Sequence, residues 1–425
     1  MVGIIVGSGI FRTPTSIAQE MGSPLLILLM WLFGGVLSLF GALTYSELAT
    51  MYPQSGGVYV FLREGFGRPL AFVFGWTYML ITKPSAAAGI AVVFGEHINK
   101  LLGTNWDARW ITTVILVVLT VINVRGVRLG TAVAGLLTSV KGLALIAIVV
   151  LGVALLKGST ANFAPVTAPK SVGLALVPVM FSIMWTYDGW SDVGAIAGEV
   201  EQPQRRLPRI YLAGTAAVTL LYVAVNAVYM YMVPLPEMAA TKTVGPLVME
   251  RIVGPAAGVA VVVLVLVSTL GSTHGSILTG ARVTFGQARD GLLFRFLGRI
   301  HPRYETPAVA LWSQLALSIV ALWLLRDFQQ MADAFIFTMW IFYGLAAAAI
   351  FILRVKRPDA PRPYRCWGYP VVPALFILVA AVMTGMSIYQ SPAQTLPWIG
   401  LLVAGIPVYY LWIRFWPAVP ATSPD

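Results

Sequence analysis

The sequence predicts an all-α integral membrane protein with about twelve transmembrane helices, and three observations predict it. Only 11% of the 425 residues are charged and 58% are hydrophobic, whereas a soluble domain carries about 25% charge. A globule of this composition would lack the polar residues to cover its surface. The apolar runs, such as 143–156 and 259–267, are continuous, where the strands of a membrane barrel would alternate. Finally, the chain divides into twelve apolar stretches near the roughly 20 residues that cross a hydrocarbon core. The same apolar content excludes disorder, and 40 Gly with 27 Pro suit closely packed and broken membrane helices.

The spans read as 1–19, 24–50, 69–97, 109–124, 129–156, 173–200, 207–233, 253–281, 307–325, 332–354, 370–390 and 395–416. The third and eighth are long enough to tilt or to extend past the bilayer. The fourth is short, so its neighbours have to bury its ends. With the N-terminus in the cytoplasm, the loops on that side collect 18 Lys or Arg and the opposite side 7. This is the bias of positive-inside orientation, and it puts both termini in the cytoplasm. Arg12, Lys83 and Lys141 fall inside spans. The first span has no polar leader and no signal-peptide pattern; the expectation is that its cytoplasmic end is incomplete.

The net charge of +11 is spread between apolar segments and forms no dense basic run with interleaved aromatics, so it reads as orientation and not as nucleic-acid binding. His97, His274 and His301 sit on scattered elements without ligand spacing. No metal, cofactor or enzymatic acid–base set is predicted.

Two spans are interrupted. The first break is Gly7-Ser8-Gly9-Ile10-Phe11; the second is Trp185-Thr186-Tyr187-Asp188-Gly189-Trp190, near the middle of span six. Gly9 and Gly189 are 180 positions apart, so spans one to five and six to ten align as two halves. An odd number of spans per half makes the halves run in opposite directions, the inverted repeat with paired discontinuous helices of secondary transporters. The halves are 1–156 and 173–354, followed by two further helices over 370–416 and a short disordered tail at 417–425. A half-helix that starts inside the membrane exposes N–H groups and one that ends there exposes carbonyls; lipid satisfies neither. A zwitterion fits both. Its carboxylate meets the N–H groups around Ser8, Gly9 and Ile10, and its ammonium meets carbonyls of Ile5 and of the first half of helix six.

The stretch GSGIFRTP at 7–14 resembles the first helix of the amino acid–polyamine–organocation superfamily, and within it the L-type amino acid transporter family. SGGVYVFLREGFG at 55–67, TYDGWSDV at 186–193 with EVEQPQRRLPR at 199–209, GARVTFGQARDGLL at 280–293 with HPRYETP at 301–307, and KRPDAPRPYRCWGYPVVP at 356–373 follow in the family's order. The resemblance implies the twelve-helix, five-plus-five inverted repeat (the LeuT-like fold) with discontinuous helices one and six, in a bacterial permease-like protein of the plasma membrane. It implies sodium-independent exchange of small neutral L-amino acids, with substrate contact at Ile5, Gly7, Ser8, Gly9, Ile10, Trp185 and Asp188.

Lys141 lies inside span five, where an ionisable group is a functional hypothesis. The resemblance makes it an internal brace that reaches the unwound part of helix one and the facing helix eight, where sodium-coupled relatives hold an ion. A Lys141 that loses its proton would instead couple transport to protons. Trp185 matches the family's aromatic lid at the end of the first half of helix six. Tryptophan where other members often have phenylalanine leaves less room and favours small neutral side chains. Asp188 has two readings: a cap for the second half of helix six, or a partner for a cationic side chain. Glu47, Glu199, Glu201, Arg205, Arg206 and Arg289 lie near cytoplasmic helix ends and form a possible inner gate.

The partners expected are the amino acid and membrane lipid, with no nucleic acid. The single cysteine, Cys366, falls in a basic cytoplasmic loop, so no disulfide-linked accessory subunit is expected; the chain reads as a monomer or weak homo-oligomer. Two alternatives stand beside neutral exchange. One is proton-coupled transport of cationic amino acids or polyamines, and the other is an amino acid sensor that binds without transporting.

Overall fold

The computed structural model describes residues 1–54, 56–126, 130–167, 171–325 and 327–415; the side chains of Ile4, 130–138 and Glu199, and the predicted tail at 417–425, lie outside that description. All regular structure among the described residues is helical. Predicted span one is two helices, α1 (Val2–Ile5) and α2 (Gly9–Glu20). Helix α3 (Pro24–Met51) starts on Ser23, whose hydroxyl accepts the Leu26 N–H at 3.4 Å. Pro24 fills the first turn, where its missing N–H costs no bond. The short α4 (Val58–Phe66) leads to α5 (Arg68–Thr77), a π-helical turn at Tyr78–Thr82 and α6 (Lys83–Leu102). Pro84 lacks an N–H and its ring crowds the carbonyl four residues back; the wider π turn accommodates it.

Next come α7 (Ala108–Arg125), α8 (Gly130–Ala154), α9 (Val172–Tyr187), α10 (Asp192–Ala195), α11 (Pro203–Met232), α12 (Leu235–Ala240) and α13 (Val244–Ile252). The series ends with α14 (Pro255–Arg289), α15 (Ala308–Leu325), α16 (Phe328–Lys356), α17 (Val371–Gln390) and α18 (Pro392–Phe415).

Ten helical stretches among the described residues are long and apolar enough to cross a membrane, which makes this a multi-pass membrane protein. The two remaining predicted spans are 1–19, cut into helices of 4 and 12 residues, and 129–156, where the apolar stretch is Ser139–Ala154. The break in span six falls later than predicted. Helix α9 continues through Tyr187, the chain leaves helix at 188–191, and only α10 and a 3-10 turn at Ala197–Glu199 follow. Helix α16 begins four residues earlier than predicted because Asp327 caps it, accepting the Gln330 N–H at 2.9 Å.

Leu25 and Leu29 on α3, Val259 and Val263 on α14, and Leu378 and Val382 on α17 are exposed. Each pair is four residues apart and forms an outward apolar stripe, the surface that lipid covers. Inside, α2 packs on α9, α3 on α11, α6 on α14 and α7 on α15. The α3–α11 contact is backbone-close: a Cβ at Gly35 would lie 2.2 Å from the Thr219 methyl. Small residues permit that approach where lipid offers no hydrophobic drive between helices.

Candidate functional site

Both breaks open on one cavity. Helix α1 closes with the Val6 N–H on the Val2 carbonyl at 2.8 Å, and α2 starts at Gly9 behind Ser8, whose side chain makes no capping bond. The first N–H groups of α2 therefore have no helical carbonyl behind them. Gly7, Ser8 and Gly9 line a cavity of about 410 Å³ together with Trp185, Asp188 and Gly189 from the second break. Gly189 has φ +106°, a backbone conformation in which a Cβ would be strained. Thr13 joins α2 to α9 through a 2.7 Å bond between its hydroxyl and that of Thr186. A Cβ at Gly9 would lie 3.0–3.2 Å from Thr186, so the two broken helices touch where they lose their helical bonds.

Of the predicted contacts, Ile5, Gly7, Ser8, Gly9, Trp185 and Asp188 line the cavity; Ile10 is fully buried and does not. The Ile5 carbonyl already accepts the Tyr222 hydroxyl at 3.0 Å, which leaves one lone pair for a ligand. Helix α10 has Ser191 at its N-cap, three residues after Asp188, and Asp188 accepts the Tyr343 hydroxyl at 2.6 Å. That same hydroxyl lies 2.7 Å from the Ser191 hydroxyl.

Lys141 lines the cavity, is 3% exposed, and bonds Ser272 of α14 at 3.3 Å. Sequence reasoning left a second buried lysine without a role. Lys83, on the first turn after the π segment, stands 3.5 Å from Asp192 of α10, and both line the cavity. The signal available was a lysine inside an apolar span directly before a proline; its partner, 109 residues away, gave none.

One end of the cavity is shut in layers. Trp185 meets Phe328 and Phe335 edge-on, with ring centroids 5.5 and 5.3 Å apart, a favourable aromatic geometry. The Arg12 guanidinium lies 4.8 Å from the Phe328 ring centre and pairs with Glu96 of α6. The other end is walled by Met1, Gly3 and Thr279.

Of the six charges expected at an inner gate, the five whose side chains are described are not gathered into one cluster. Glu201 pairs with Arg206 at 3.0 Å on the surface, where such a pair is worth about 0–1 kcal/mol. Arg205 is exposed, Arg289 lies over Phe285, and Glu199's side chain is outside the described set. Glu47 is fully buried and engaged elsewhere: Arg354 donates to its two carboxylate oxygens at 3.0 and 2.7 Å, and the Cys366 N–H donates at 2.6 Å. Arg362 stands 3.5 Å away. A second tie joins the loop helix α4 to the end of α14, where Tyr59 and Arg63 both donate to Asp290 at 2.7 Å. Cys366 is buried, and burial pushes its thiol up to about 11. The chain's one cysteine is thus not presented for a bridge to another subunit.

Residues 1–412 match the amino acid permease family. The cystine/glutamate transporter of Homo sapiens is 33% identical over 420 residues, covering 97% of this chain and 83% of that protein. The serine/threonine exchanger SteT of Bacillus subtilis (strain 168) is 31% identical over 421 residues, 96% of this chain and 94% of the exchanger. The b(0,+)-type amino acid transporter 1 of Rattus norvegicus is 31% identical over 428 residues, 98% and 86% respectively. A lipid-embedded cavity between two broken helices, with a match that spans nearly the whole chain, has one account: this protein belongs to the amino acid permease family and carries amino acids across a membrane by secondary-active transport, without chemical conversion.

Proposed function

We propose that the chain is a sodium-independent exchanger of small neutral L-amino acids of the L-type branch, in the plasma membrane with both termini cytoplasmic. The observation that carries this reading is charge balance at the cavity. Its described lining includes two lysines, Lys83 and Lys141, and two aspartates, Asp188 and Asp192, whose formal charges cancel. Net charge deep in a membrane is expensive, so a zwitterion with an uncharged side chain enters at the least electrostatic cost. Asp188 is already occupied by Tyr343, which makes it a poor partner for a cationic side chain. The carboxylate binds the N–H groups that start α2, between Gly7 and Ile10, and the ammonium binds the Ile5 carbonyl and carbonyls at the end of α9. Trp185 closes over them, and Lys141 braces the break where an ion would otherwise sit.

Twelve spans in two inverted halves account for the helix pairs. If 1–156 and 173–354 are related by a two-fold axis, span n of one half is the counterpart of span n+5. The contacts of α2 with α9, α3 with α11, α6 with α14 and α7 with α15 are four such pairs. In this orientation the end shut by Trp185, Phe328 and the Arg12–Glu96 pair faces outside. The serine/threonine exchanger among the relatives supports small neutral substrates.

The test is counterflow in proteoliposomes with neutral, cationic and acidic amino acids, with and without sodium and a pH gradient. Exchange of serine or alanine, indifferent to sodium, is expected. Sodium dependence would overturn this reading and the role given to Lys141, and arginine uptake driven by protons would overturn it in favour of the cationic one. Binding without flux would make the protein a sensor.

A further inference from the structure

One wall of the central cavity is a single face of α14. Gly271, Ser272, Gly275, Ser276 and Thr279 line it, three and four residues apart, as one face of a helix requires. Three of them carry hydroxyls, and two of those are engaged. Lys141 donates to Ser272 at 3.3 Å, and Thr279 donates to the Gly275 carbonyl of its own helix at 3.0 Å. Ser276 differs. Its hydroxyl has no protein partner among the described residues; it does not use the carbonyl four residues back, as Ser38 and Thr186 do. The backbone of this turn is held from behind by α15. The Ser276 carbonyl accepts the Gln314 side-chain amide at 3.4 Å, and a Cβ at Gly280 would lie 2.3 Å from Gln314 Oε1. Ser276 is 8% exposed, and with α15 behind it that opening is toward the cavity.

The room for a substrate side chain lies at the same turn. A Cβ at Gly7 would stand 3.7 Å from Ser272 Oγ, so the first break faces α14. One turn further on, a Cβ at Gly275 would meet no described atom within 4 Å. The α6 side is filled instead by the lid: a Cβ at Gly89 would lie 3.4 Å from the Trp185 ring, which packs on Phe335. A substrate whose carboxylate and ammonium are held at the breaks therefore turns its side chain toward Gly275 and Ser276.

In an unloaded cavity water bonds a hydroxyl of this kind. A ligand that puts a methyl in place of the water strands the hydroxyl, whereas one that puts a hydroxyl there replaces the bond. A serine hydroxyl both donates and accepts, so it pairs with another hydroxyl in either sense. We propose that Ser276 reads the substrate side chain, so that the cavity prefers hydroxylated amino acids of serine and threonine size to aliphatic ones of the same shape. The proposal rests on the reading of the chain as an exchanger of small neutral amino acids and narrows its substrate class.

The experiment is counterflow with the full chain in proteoliposomes, using two pairs matched in shape: L-serine with L-2-aminobutyrate, and L-threonine with L-valine. In the wild type the hydroxylated member of each pair is expected to have the lower KM, by about fivefold, the scale of one net hydrogen bond. Ser276→Ala removes the hydroxyl, and Ser276→Cys keeps the size with only a weak donor. Both are expected to bring the two KM ratios within twofold of one, chiefly by raising KM for serine and threonine. Gly275→Ala narrows the same turn but keeps the hydroxyl; it should raise KM for threonine and valine together and leave their ratio as in the wild type. Wild-type ratios of one or below would overturn the assignment, as would a Ser276 variant that keeps the wild-type ratios. Loss of all exchange in both Ser276 variants would give Ser276 a structural role and overturn it as well. Each of these outcomes leaves neutral exchange by the wild type intact. A wild type that exchanges none of the four amino acids overturns the neutral-exchanger reading and this assignment with it.

Discussion

Lys83 Nζ stands 3.5 Å from Asp192 Oδ2 across the central cavity, the lysine almost fully buried and the aspartate partly so. The lysine belongs to the continuous part of span three, and the aspartate to the short helix after the second break. The pair therefore ties a broken helix to an unbroken one inside the membrane. Removing one member of a buried pair leaves the other uncompensated, at a cost of about 3–5 kcal/mol.

Lys83→Met and Asp192→Asn are each expected to lower thermal stability by a margin of that order and to stop exchange. The double variant Lys83→Met/Asp192→Asn should regain most of the lost Tm, because no unpaired charge remains, and should stay inactive. Thermal unfolding in detergent measures this; additive losses in the double variant would show that the two groups do not interact.

Gly9→Ala places a methyl 3.0–3.2 Å from Thr186. Overpacking of this kind costs about 1–3 kcal/mol, here spent in pushing α2 off α9. The expected outcome in counterflow is a rise in KM of about tenfold or more, partly reversed by adding Thr186→Ala, which clears the hydroxyl and methyl. A Gly9→Ala protein with wild-type KM would mean that the two breaks do not form a shared binding surface.

Lys141→Ala is expected to reduce exchange more than tenfold while the protein remains monodisperse, since the Ser272 hydroxyl that Lys141 bonds is neutral and loses no charge partner. Lys141→Arg, which keeps the charge but not the shape, should recover less than half of the rate. Exchange at the wild-type rate in Lys141→Ala would end its role as the brace.

Glu47→Gln breaks a buried carboxylate's bonds to Arg354 and loosens the loop held by the Cys366 N–H. Stability should fall by about 3–5 kcal/mol. Cys366 reports the loosening directly. Thiolate is the reactive form, and with the thiol pushed up to about 11, maleimide labelling of the wild type should be slow at pH 7. It should climb about tenfold per pH unit through pH 9, where an ordinary thiol levels off. Glu47→Gln should label faster at every pH. A plateau near pH 9 in the wild type would contradict the buried setting.

Local chemistry made part of this site legible and topology hid the rest. Gly7-Ser8-Gly9 announces a break because glycine and serine hold a helix poorly, and the break is there. The second break was displaced because Trp185 through Tyr187 keep helical bonds and pack laterally, Trp185 on Phe328 and Phe335 and Tyr187 on Trp31. Aromatic packing carries the helix through Tyr187, and it ends where the helix propensity is weak, at Asp188-Gly189. The continuous spans were readable from apolar run length, whereas the pairing of Glu47 with Arg354 was not. Both residues sit at helix ends where charge also serves orientation, and nothing within either segment names a partner 307 residues away. Lys83 was hidden in the same way by its distance from Asp192.

The cancelling lysines and aspartates of the central cavity bear on how the cell's voltage acts on the cycle. When water access passes from one side to the other, the electric field is redrawn across equal numbers of positive and negative side chains. Each elementary charge that crossed it would exchange about 2.3 kcal/mol per 100 mV with the membrane, and a lysine and an aspartate held side by side, as Lys83 and Asp192 are, offset one another. Voltage then acts on the cycle through whatever charge is left unpaired at the cavity, the cargo's own included.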